Sequence, residues 1–297
     1  MSLKKYLRSI YSFYKWFFDF FIYSPRFEIY AKQLNKVNGK YFDIVKNDQA
    51  KNTDTHLKSY YANPVPKKVW IYWAQGEITA PLVVKKCIES WRKKNIDWEI
   101  IVLDAESLTK YVELPKLPEY LPVRYQANLL RTILLKEYGG VWTDATTYCH
   151  RPLSEWLPLL SNNGFFMFSN PSDDRDIENW FIASIPNQPL ITAWQKNLEK
   201  YYQNMKKVHP SYFLAFYIYQ WMLKQDKELS RLQRECSSLN AGPCFIMKSV
   251  LLGNTRYSEL DNHVKNGLPL SKLDWRLSVT DEHFQGILNE IEFDKII

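Results

Sequence analysis

Apolar residues recur at steps of three and four through the first half of segment 125–153, YQANLLRTILLKEYGGVWTDATTYCHRPL. This spacing is typical of a helix with one apolar stripe. The stripe is formed by Ala127, Leu130, Ile133, Leu134 and Tyr138. A glycine directly after the last periodic residue can adopt the left-handed conformation that ends a helix, so Gly139 and Gly140 should end this one. Residues 141–143 then predict a short buried strand.

The alternation of apolar runs with helical stretches predicts an α/β fold. Residues 67–76 and 97–104 are apolar runs that end in turn residues, as buried strands do. Residues 81–93 lie between them and carry apolar side chains at helical spacing. A strand, a helix and a strand in this order form a right-handed crossover between parallel strands. Further along the chain, residues 164–169 predict a strand, and 105–111, 152–160, 190–202 and 212–224 predict helices.

Three polar residues share one face of the predicted central helix, because they are separated by four and three positions. They are Arg124, Asn128 and Arg131. Asp144 follows at the carboxyl end of the predicted strand, where open α/β sheets hold their ligands. An arginine donates two parallel hydrogen bonds to a phosphate, and a carboxylate binds a divalent cation that the phosphate carries. The spacing is equally compatible with a structural arginine and aspartate pair.

The composition agrees with one large α/β domain and an anionic ligand. A chain of 297 residues can bury a large core, and its net charge of +7 suits a nucleotide diphosphate or anionic lipid. Basic residues form no arginine-rich tract or nucleic-acid motif, so nucleic acid is not expected as a partner. The four cysteines form no C-x-x-C pair, which argues against a zinc site and favours free thiols. A bridge between Cys236 and Cys244 is the alternative in an oxidising compartment.

The first 62 residues are expected to form a helical extension. The apolar run at 16–23 contains an aspartate and is too short for a membrane span of about 20 apolar residues. No small-residue cleavage site follows it. The basic and aromatic residues of 1–24 are typical of a helix lying on anionic lipid, and a helix packed on the main domain is an equal alternative. A proline-rich turn at 63–66 marks the boundary, so the main domain is predicted to be 63–297.

The central segment carries a family resemblance. The matching residues are Asn128, Leu130-Arg131, Leu134-Leu135, Tyr138-Gly139-Gly140-Val141-Trp142, Asp144-Ala145-Thr146 and Pro152-Leu153. This run resembles the sugar-binding DXD region of bacterial capsular polysaccharide synthesis glycosyltransferases, which are relatives of glycosyltransferase family 32. Their typical pattern is Ser-Asp-x-x-Arg, Tyr-Gly-Gly and Asp-x-Asp. Here Ala127-Asn128 replaces Ser-Asp, which removes a charge from the donor pocket, and Thr146 replaces the second aspartate, which removes a metal ligand.

The resemblance implies a GT-A-type, Rossmann-like fold with a mixed, mainly parallel sheet and flanking helices. It also implies a divalent metal, Mn²⁺ or Mg²⁺, at Asp144 and Thr146, although the missing aspartate weakens that site. Asn128 is a candidate for binding the nucleotide, and Arg131 for stabilising the departing diphosphate.

Four further residues are nominated on the same resemblance. It puts the nucleotide against the end of the first strand, at Trp73 and Gln75, although a core position for Trp73 is equally plausible. Asn179 resembles an asparagine near the transferred sugar. Lys272 lies in the predicted terminal strand 268–276 and is the candidate for a second cation beside the diphosphate.

Two other acidic features have ordinary explanations. Asp104, at the end of the second predicted strand, is a candidate acceptor for a ribose or base, and an N-cap for the helix at 105–111 is the alternative. Asp174-Arg175-Asp176 is a literal Asp-x-Asp. After a proline turn, however, such acids more often lie at a helix N-terminus. Asp144 is therefore the preferred carboxylate.

These features lead to the hypothesis of a glycosyltransferase. It would move a sugar from a nucleotide-diphosphate sugar, with a UDP-sugar favoured, to a cell-surface polysaccharide or lipid-linked glycan. The resemblance implies retention of the anomeric configuration, and the expected location is cytoplasmic, with residues 1–24 as a contact to the inner face of the membrane. One alternative is a catalytically weakened subunit that binds sugar or membrane within a synthesis complex. Another is a membrane-bound effector that glycosylates proteins.

Overall fold

In the part of the chain that the structure describes, seven strands form a central five-stranded sheet and a separate two-stranded sheet. The computed structural model describes residues 63–293 except 162, 173, 174 and 210, so the extension predicted for 1–62 lies outside the described residues. The strands are β1 Lys68–Tyr72, β2 Glu99–Leu103, β3 Gly140–Asp144, β4 Thr147–Cys149, β5 Phe165–Ser172, β6 Arg175–Ser184 and β7 Leu270–Lys272. The central sheet has the order β2–β1–β3–β6–β5, and β4 pairs with β7.

The central sheet is mixed and mainly parallel, as predicted. Strand β1 pairs in parallel with both β2 and β3, whereas β6 is antiparallel to β3 and to β5. Strand β6 therefore runs against the direction shared by the other four. Helix α1, Leu82–Lys94, connects β1 to β2, which confirms the predicted parallel crossover.

Helices cover both faces of the central sheet. They continue as α2 Val123–Tyr138, α3 Leu157–Leu160, α4 Pro189–Gln203, α5 Leu214–Gln225, α6 Lys227–Glu235, α7 Ile246–Leu251, α8 Tyr257–Lys265 and α9 Asp281–Phe293. Short 3-10 helices occupy Ser107–Lys110, Leu153–Glu155 and Gly242–Phe245. Among the described residues, no helix combines the length and the apolar character needed to cross a membrane.

Alternate residues of the inner strands enter two different cores. Val69 and Ile71 of β1 pack with α1, α3 and α7 to α9, whereas Trp70 packs with α2, α4 and α5 on the other face. Val141 and Trp142 of β3 separate in the same way. Strands covered on both faces need apolar residues at successive positions, which explains why these strands appear in the sequence as continuous apolar runs.

Helix α2 ends at Tyr138, as the glycine pair predicts, but the end differs in detail. Gly139 has φ 63° and ψ −159°, so the chain turns directly into extended backbone and does not form a left-handed helical cap. A Cβ at Gly139 would lie 2.7 Å from Pro186 Cδ, and the indole of Trp70 donates a 2.9 Å hydrogen bond to the Gly139 carbonyl. The positive φ and the close approach both favour glycine.

Three predicted segments differ from the structure. Residues 105–111 form only the short 3-10 helix, and 152–160 are divided between a 3-10 helix and α3. Residues 175–184 belong to β6 and not to a helix that follows the proline turn. Pairing with β3 on one side and β5 on the other explains β6, because these neighbours satisfy its backbone groups. Asp174 lies outside the described residues.

The two-stranded sheet joins distant parts of the chain beside the end of β3. Thr147 of β4 is paired with Lys272 of β7. The Leu273 backbone N–H extends this pairing by donating a 2.8 Å hydrogen bond to the Thr146 carbonyl. As a result, the side chains of Lys272 and Thr146 face the same region as Asp144.

Candidate active site

A cleft of about 610 Å³ lies at the carboxyl ends of β1 and β3. These ends are marked by Tyr72 and Asp144. The cleft is lined by seven of the nine residues nominated from the sequence: Trp73, Asn128, Arg131, Asp144, Thr146, Asn179 and Lys272. Ligands of open α/β sheets bind at this end of the strands. The convergence therefore makes the cleft the candidate active site.

Arg131 is buried beside Asp144 and held by several contacts. Its Nη2 atom lies 3.5 Å from Asp144 Oδ1, and its side chain is 7% exposed. Its Nε donates a 3.2 Å hydrogen bond to the Ala127 carbonyl, and its Nη1 donates to the Asn179 carbonyl. The guanidinium also lies over the Trp142 ring, 5.0 Å from the centroid. A guanidinium fixed in this way is positioned before a ligand arrives.

Lys272 approaches the same carboxylate from the opposite side. Its Nζ donates a 2.5 Å hydrogen bond to Thr146 Oγ1 and lies 3.6 Å from Asp144 Oδ2. The Trp142 indole N–H lies 3.2 Å from Asp144 Oδ1 and donates to it. Both oxygens of Asp144 therefore face donors. The sequence is compatible with a structural ion pair between Arg131 and Asp144. The structure adds a second cation, Lys272, which is distant from both residues in the sequence.

Two asparagines connect α2 to its neighbours at the side of the cleft. Asn179 Nδ2 of β6 lies 3.4 Å from Asn128 Oδ1, and Asn128 Nδ2 lies 3.4 Å from the Tyr202 hydroxyl. Burial raises the pKa of the Tyr202 phenol above its ordinary value, so this hydroxyl stays neutral at physiological pH. The two amides thus form a neutral, hydrogen-bonding edge next to the charged group.

The sequence reasoning missed the residues that follow Lys272. Asp274 lies 3.3 Å from Lys248 Nζ and 3.9 Å from Arg276 Nη1. Burial opposes the ionisation of Asp274, but hydrogen bonds from the Arg276 backbone and Lys248 outweigh it and lower the pKa of that carboxyl. Trp275 packs edge-on to Trp73 with 6.1 Å between ring centroids. The run LDWR directly after Lys272 contains these residues. The sequence pattern predicts it only as part of a terminal strand.

Asp104 and Gln75 are not among the residues that line the cleft. Asp104 Oδ1 accepts hydrogen bonds from the Ser107 backbone N–H at 2.7 Å and from the Glu106 N–H at 3.0 Å. These bonds, first of all that from Ser107, hold the pKa of Asp104 below its usual range. These contacts give Asp104 a local structural role in the turn before the 3-10 helix Ser107–Lys110, whose N-cap is Glu106. Gln75 is exposed.

The cleft carries an excess of positive charge. Among the described residues, five cationic side chains line it: Arg124, Arg131, Lys248, Lys272 and Arg276. Three acidic side chains line it as well: Asp144, Glu178 and Asp274. An excess of cations in a partly enclosed cleft attracts anionic ligands. The remaining wall is aromatic and includes Trp180, Tyr212, Phe213 and Phe216.

The donors at the predicted metal site do not fit a divalent cation in this arrangement. Asp144 is the single carboxylate of the Asp-x-Thr segment, and its oxygens face Arg131 and Lys272. The Thr146 hydroxyl already accepts a hydrogen bond from Lys272. Across the described part of the chain, no group of three or more His, Cys, Asp or Glu is arranged to hold a metal ion. No reaction step is therefore assigned to a metal.

The fold and the site define an α/β protein with a cation-rich ligand cleft at the carboxyl ends of its parallel strands. A family profile described as capsular polysaccharide synthesis protein matches residues 4–291. The chain belongs to this family, which confirms the family predicted from residues 125–153.

Curated relatives of the chain are named as glycosyltransferases. The chain is 25% identical over 185 residues to O-glycosyltransferase braB of Annulohypoxylon truncatum, covering 53% of this chain and 44% of the relative. It is 25% identical over 172 residues to inositol phosphoceramide mannosyltransferase 3 of Schizosaccharomyces pombe, covering 54% and 46%. It is also 25% identical over 143 residues to the initiation-specific alpha-1,6-mannosyltransferase of Candida albicans, covering 42% and 37%. The chain thus spans less than half the length of these relatives.

One solved structure is similar at a lower level. The glycosyltransferase PaToxG aligns with 83% of this chain and 94% of its own, at 14% identity and a TM-score of 0.38. This similarity is too low to assign the GT-A class, which stays a prediction.

Proposed function

We propose that this protein transfers a sugar from a nucleotide-diphosphate sugar to a glycan acceptor used in building a cell-surface polysaccharide. The observation that carries the proposal is the convergence of Arg131, Lys272 and Asp144 in one cleft at the carboxyl ends of β1 and β3. The family and the names of the relatives support a glycosyltransferase. We further propose a GT-A-type domain, a UDP-sugar as the first donor to test, and a polysaccharide or lipid-linked glycan as the acceptor.

The two cations suit the charge that develops during transfer. The bond between the anomeric carbon and the β-phosphate oxygen breaks, and its electron pair goes to the departing diphosphate. Arg131 and Lys272 neutralise that growing negative charge, as preorganised donors do in other enzymes. The acceptor hydroxyl oxygen forms the new bond to the anomeric carbon. Its proton passes to the departing diphosphate or to solvent.

Retention of configuration is the proposed stereochemical outcome. Asp144 and Asp274 both contact cations, so their carboxylate oxygens are already engaged and neither is free to act as a general base. In a retaining transfer through the departing diphosphate, the phosphate oxygen itself can take the proton of the acceptor. The reaction then needs no carboxylate base.

The remaining lining residues suit the sugar and the base. Asn128 and Asn179 offer amide groups beside Arg131, and amides hydrogen-bond to sugar hydroxyls. Trp73 and Trp180 both line the cleft, and neither indole N–H has a hydrogen-bond partner within the described residues. Because both nitrogens are buried within the protein, we assign the two rings only a packing contact with the sugar or base. Membrane contact through residues 1–24 remains a separate proposal outside the described residues.

The test is release of nucleoside diphosphate from a panel of uridine and guanosine diphosphate sugars, with and without oligosaccharide acceptors. Asp144→Ala removes the group that both cations face, and we expect turnover to fall by about 100-fold or more. Asp97→Ala is the control. Asp97 is a carboxylate paired with Lys67 at 2.6 Å and does not line the cleft. We expect wild-type turnover from this control.

Two outcomes would contradict the proposal. If wild-type protein neither binds nor turns over any member of the panel, the weakened binding subunit becomes the better description. If folded Asp144→Ala retains near-normal turnover, the site assignment is wrong. Circular dichroism and urea unfolding of each variant separate a loss of chemistry from a loss of fold.

A further inference from the structure

We infer that the Lys272 ammonium takes the place of a divalent metal, so that the nucleoside diphosphate binds and reacts without one. The inference rests on the proposed function, because it concerns how the same cleft receives the diphosphate. Its basis is the position of one nitrogen. Lys272 Nζ is 2.5 Å from Thr146 Oγ1 and 3.6 Å from Asp144 Oδ2, between the two side chains that would be the metal ligands.

A metal coordinated by these two residues would compete with the ammonium for the same space. Oxygen ligands of Mn²⁺ or Mg²⁺ lie about 2.1 Å from the metal. Because the ammonium is only 2.5 Å from Thr146 Oγ1, a cation bound to that oxygen would lie within about 5 Å of the ammonium. Two cations at that separation in a partly enclosed cleft repel each other strongly. The neutral Thr146 hydroxyl and the Asp144 carboxylate, which already faces two cations, would not offset this repulsion.

The position of Lys272 does not depend on a flexible side chain alone. Its backbone is paired with Thr147 across the β4–β7 sheet, and the Leu273 N–H donates to the Thr146 carbonyl at 2.8 Å. The side chain is 17% exposed, so it is largely enclosed by the cleft. Strand β7 therefore presents the lysine to the threonine that directly precedes β4. The threonine that replaces the second aspartate accepts the ammonium's hydrogen bond without adding a charge.

The cleft holds enough positive charge to receive a diphosphate without a metal. Within the part of the lining that the structure describes, the five cations exceed the three acids by two charges. Lys272 has three N–H donors, of which one is used on Thr146 and a second on the Leu273 carbonyl at 3.3 Å. The third can move from Asp144 to a phosphate oxygen while Arg131 retains its contact with the carboxylate. Asp144 then holds Arg131 in position, and Thr146 holds Lys272.

The experiment measures binding, which needs no acceptor and no turnover. Uridine and guanosine diphosphate are titrated by calorimetry into wild-type protein in excess EDTA and in saturating Mn²⁺. We expect the same Kd within about twofold in both conditions, with Lys272→Met weakening binding about tenfold or more in both. Lys86→Met is the control, because Lys86 is paired with Asp281 at 2.8 Å, is 19% exposed and does not line the cleft. We expect this control to bind as wild type does.

A second variant should create the missing metal site. Thr146→Asp combined with Lys272→Met restores the second carboxylate and removes the ammonium. We expect this double variant to bind Mn²⁺, seen as loss of the free Mn²⁺ resonance signal, whereas the wild type leaves the signal unchanged. Nucleoside diphosphate binding by the double variant should rise about tenfold or more on adding Mn²⁺.

The outcomes separate this inference from the proposed function. If wild-type protein binds a nucleoside diphosphate only in Mn²⁺ and loses it in EDTA, the inference is overturned while the proposed function stands. If neither condition gives binding, both are overturned. Binding that EDTA does not change supports both. The wild-type comparison requires no substitution, so a folding defect in a variant does not remove the test.

Discussion

Gly140 brings the backbone of β3 against β1 at the point where the chain enters the site. Its φ is 95°, and a Cβ added there would lie 2.6 Å from the Lys68 carbonyl oxygen. That contact is with backbone, so no side-chain rotation can relieve it. Gly140→Ala therefore tests whether the double glycine is required for the sheet.

The expected loss of stability has two parts. A non-glycine residue held at such a φ costs about 1–3 kcal/mol. Overlap with neighbours in a packed region costs about 1–3 kcal/mol more. We expect Gly140→Ala to lower the free energy of unfolding by about 2–6 kcal/mol, a large fraction of the 5–15 kcal/mol typical of folded domains.

Gly253→Ala is the matched control. Gly253 also has a positive φ, of 71°, but a Cβ there would meet nothing within 4 Å. It should cost only the backbone strain, about 1–3 kcal/mol. The difference between the two variants isolates the steric part that arises from the approach of β3 to β1.

Urea unfolding followed by tryptophan fluorescence measures both variants, because the chain contains 11 tryptophans. Gly140→Ala should show the lower midpoint and weaker binding of nucleoside diphosphate, since β3 ends at Asp144. The reasoning is refuted if Gly140→Ala loses no more stability than Gly253→Ala. Equal losses would mean that the two strands separate at almost no cost.

Two further predictions concern the buried guanidinium and a buried thiol. Arg131→Lys keeps the charge but cannot make the contacts to Asp144 and the Asn179 carbonyl together, so kcat should fall about 100-fold with the fold retained; near-normal kcat would contradict this. Burial raises the pKa of the Cys149 thiol to about 12, above its ordinary value near 9. The stability from burying this neutral thiol is present below about pH 9 and is lost as pH rises towards 12. The free energy of unfolding of wild type relative to Cys149→Ala, measured by urea unfolding, should therefore decrease from about pH 8 to about pH 10, and a constant difference would refute the assignment.

The local pattern of the sequence determined the elements that form the sheet and its first crossover. Apolar spacing set α1 and α2, and apolar runs set β1, β2 and β3, because helix and strand periods arise from neighbouring residues. The glycine pair marked the end of α2 for the same local reason. The order of these elements then placed Asp144 at the carboxyl end of the sheet, and the motif pointed to the family.

The tertiary structure decided which side chains meet. Lys272 and Thr146 are 126 positions apart and come together only because β7 pairs with β4. The apolar stripe of α2 likewise did not predict that Arg131 is buried. Arg131 is covered partly by β6, a distant segment whose Asn179 carbonyl accepts its hydrogen bond. Periodicity describes interactions along one element, whereas the charge and the ligands of a site depend on strand pairing between distant segments. That pairing put an ammonium where the sequence motif led us to expect a metal.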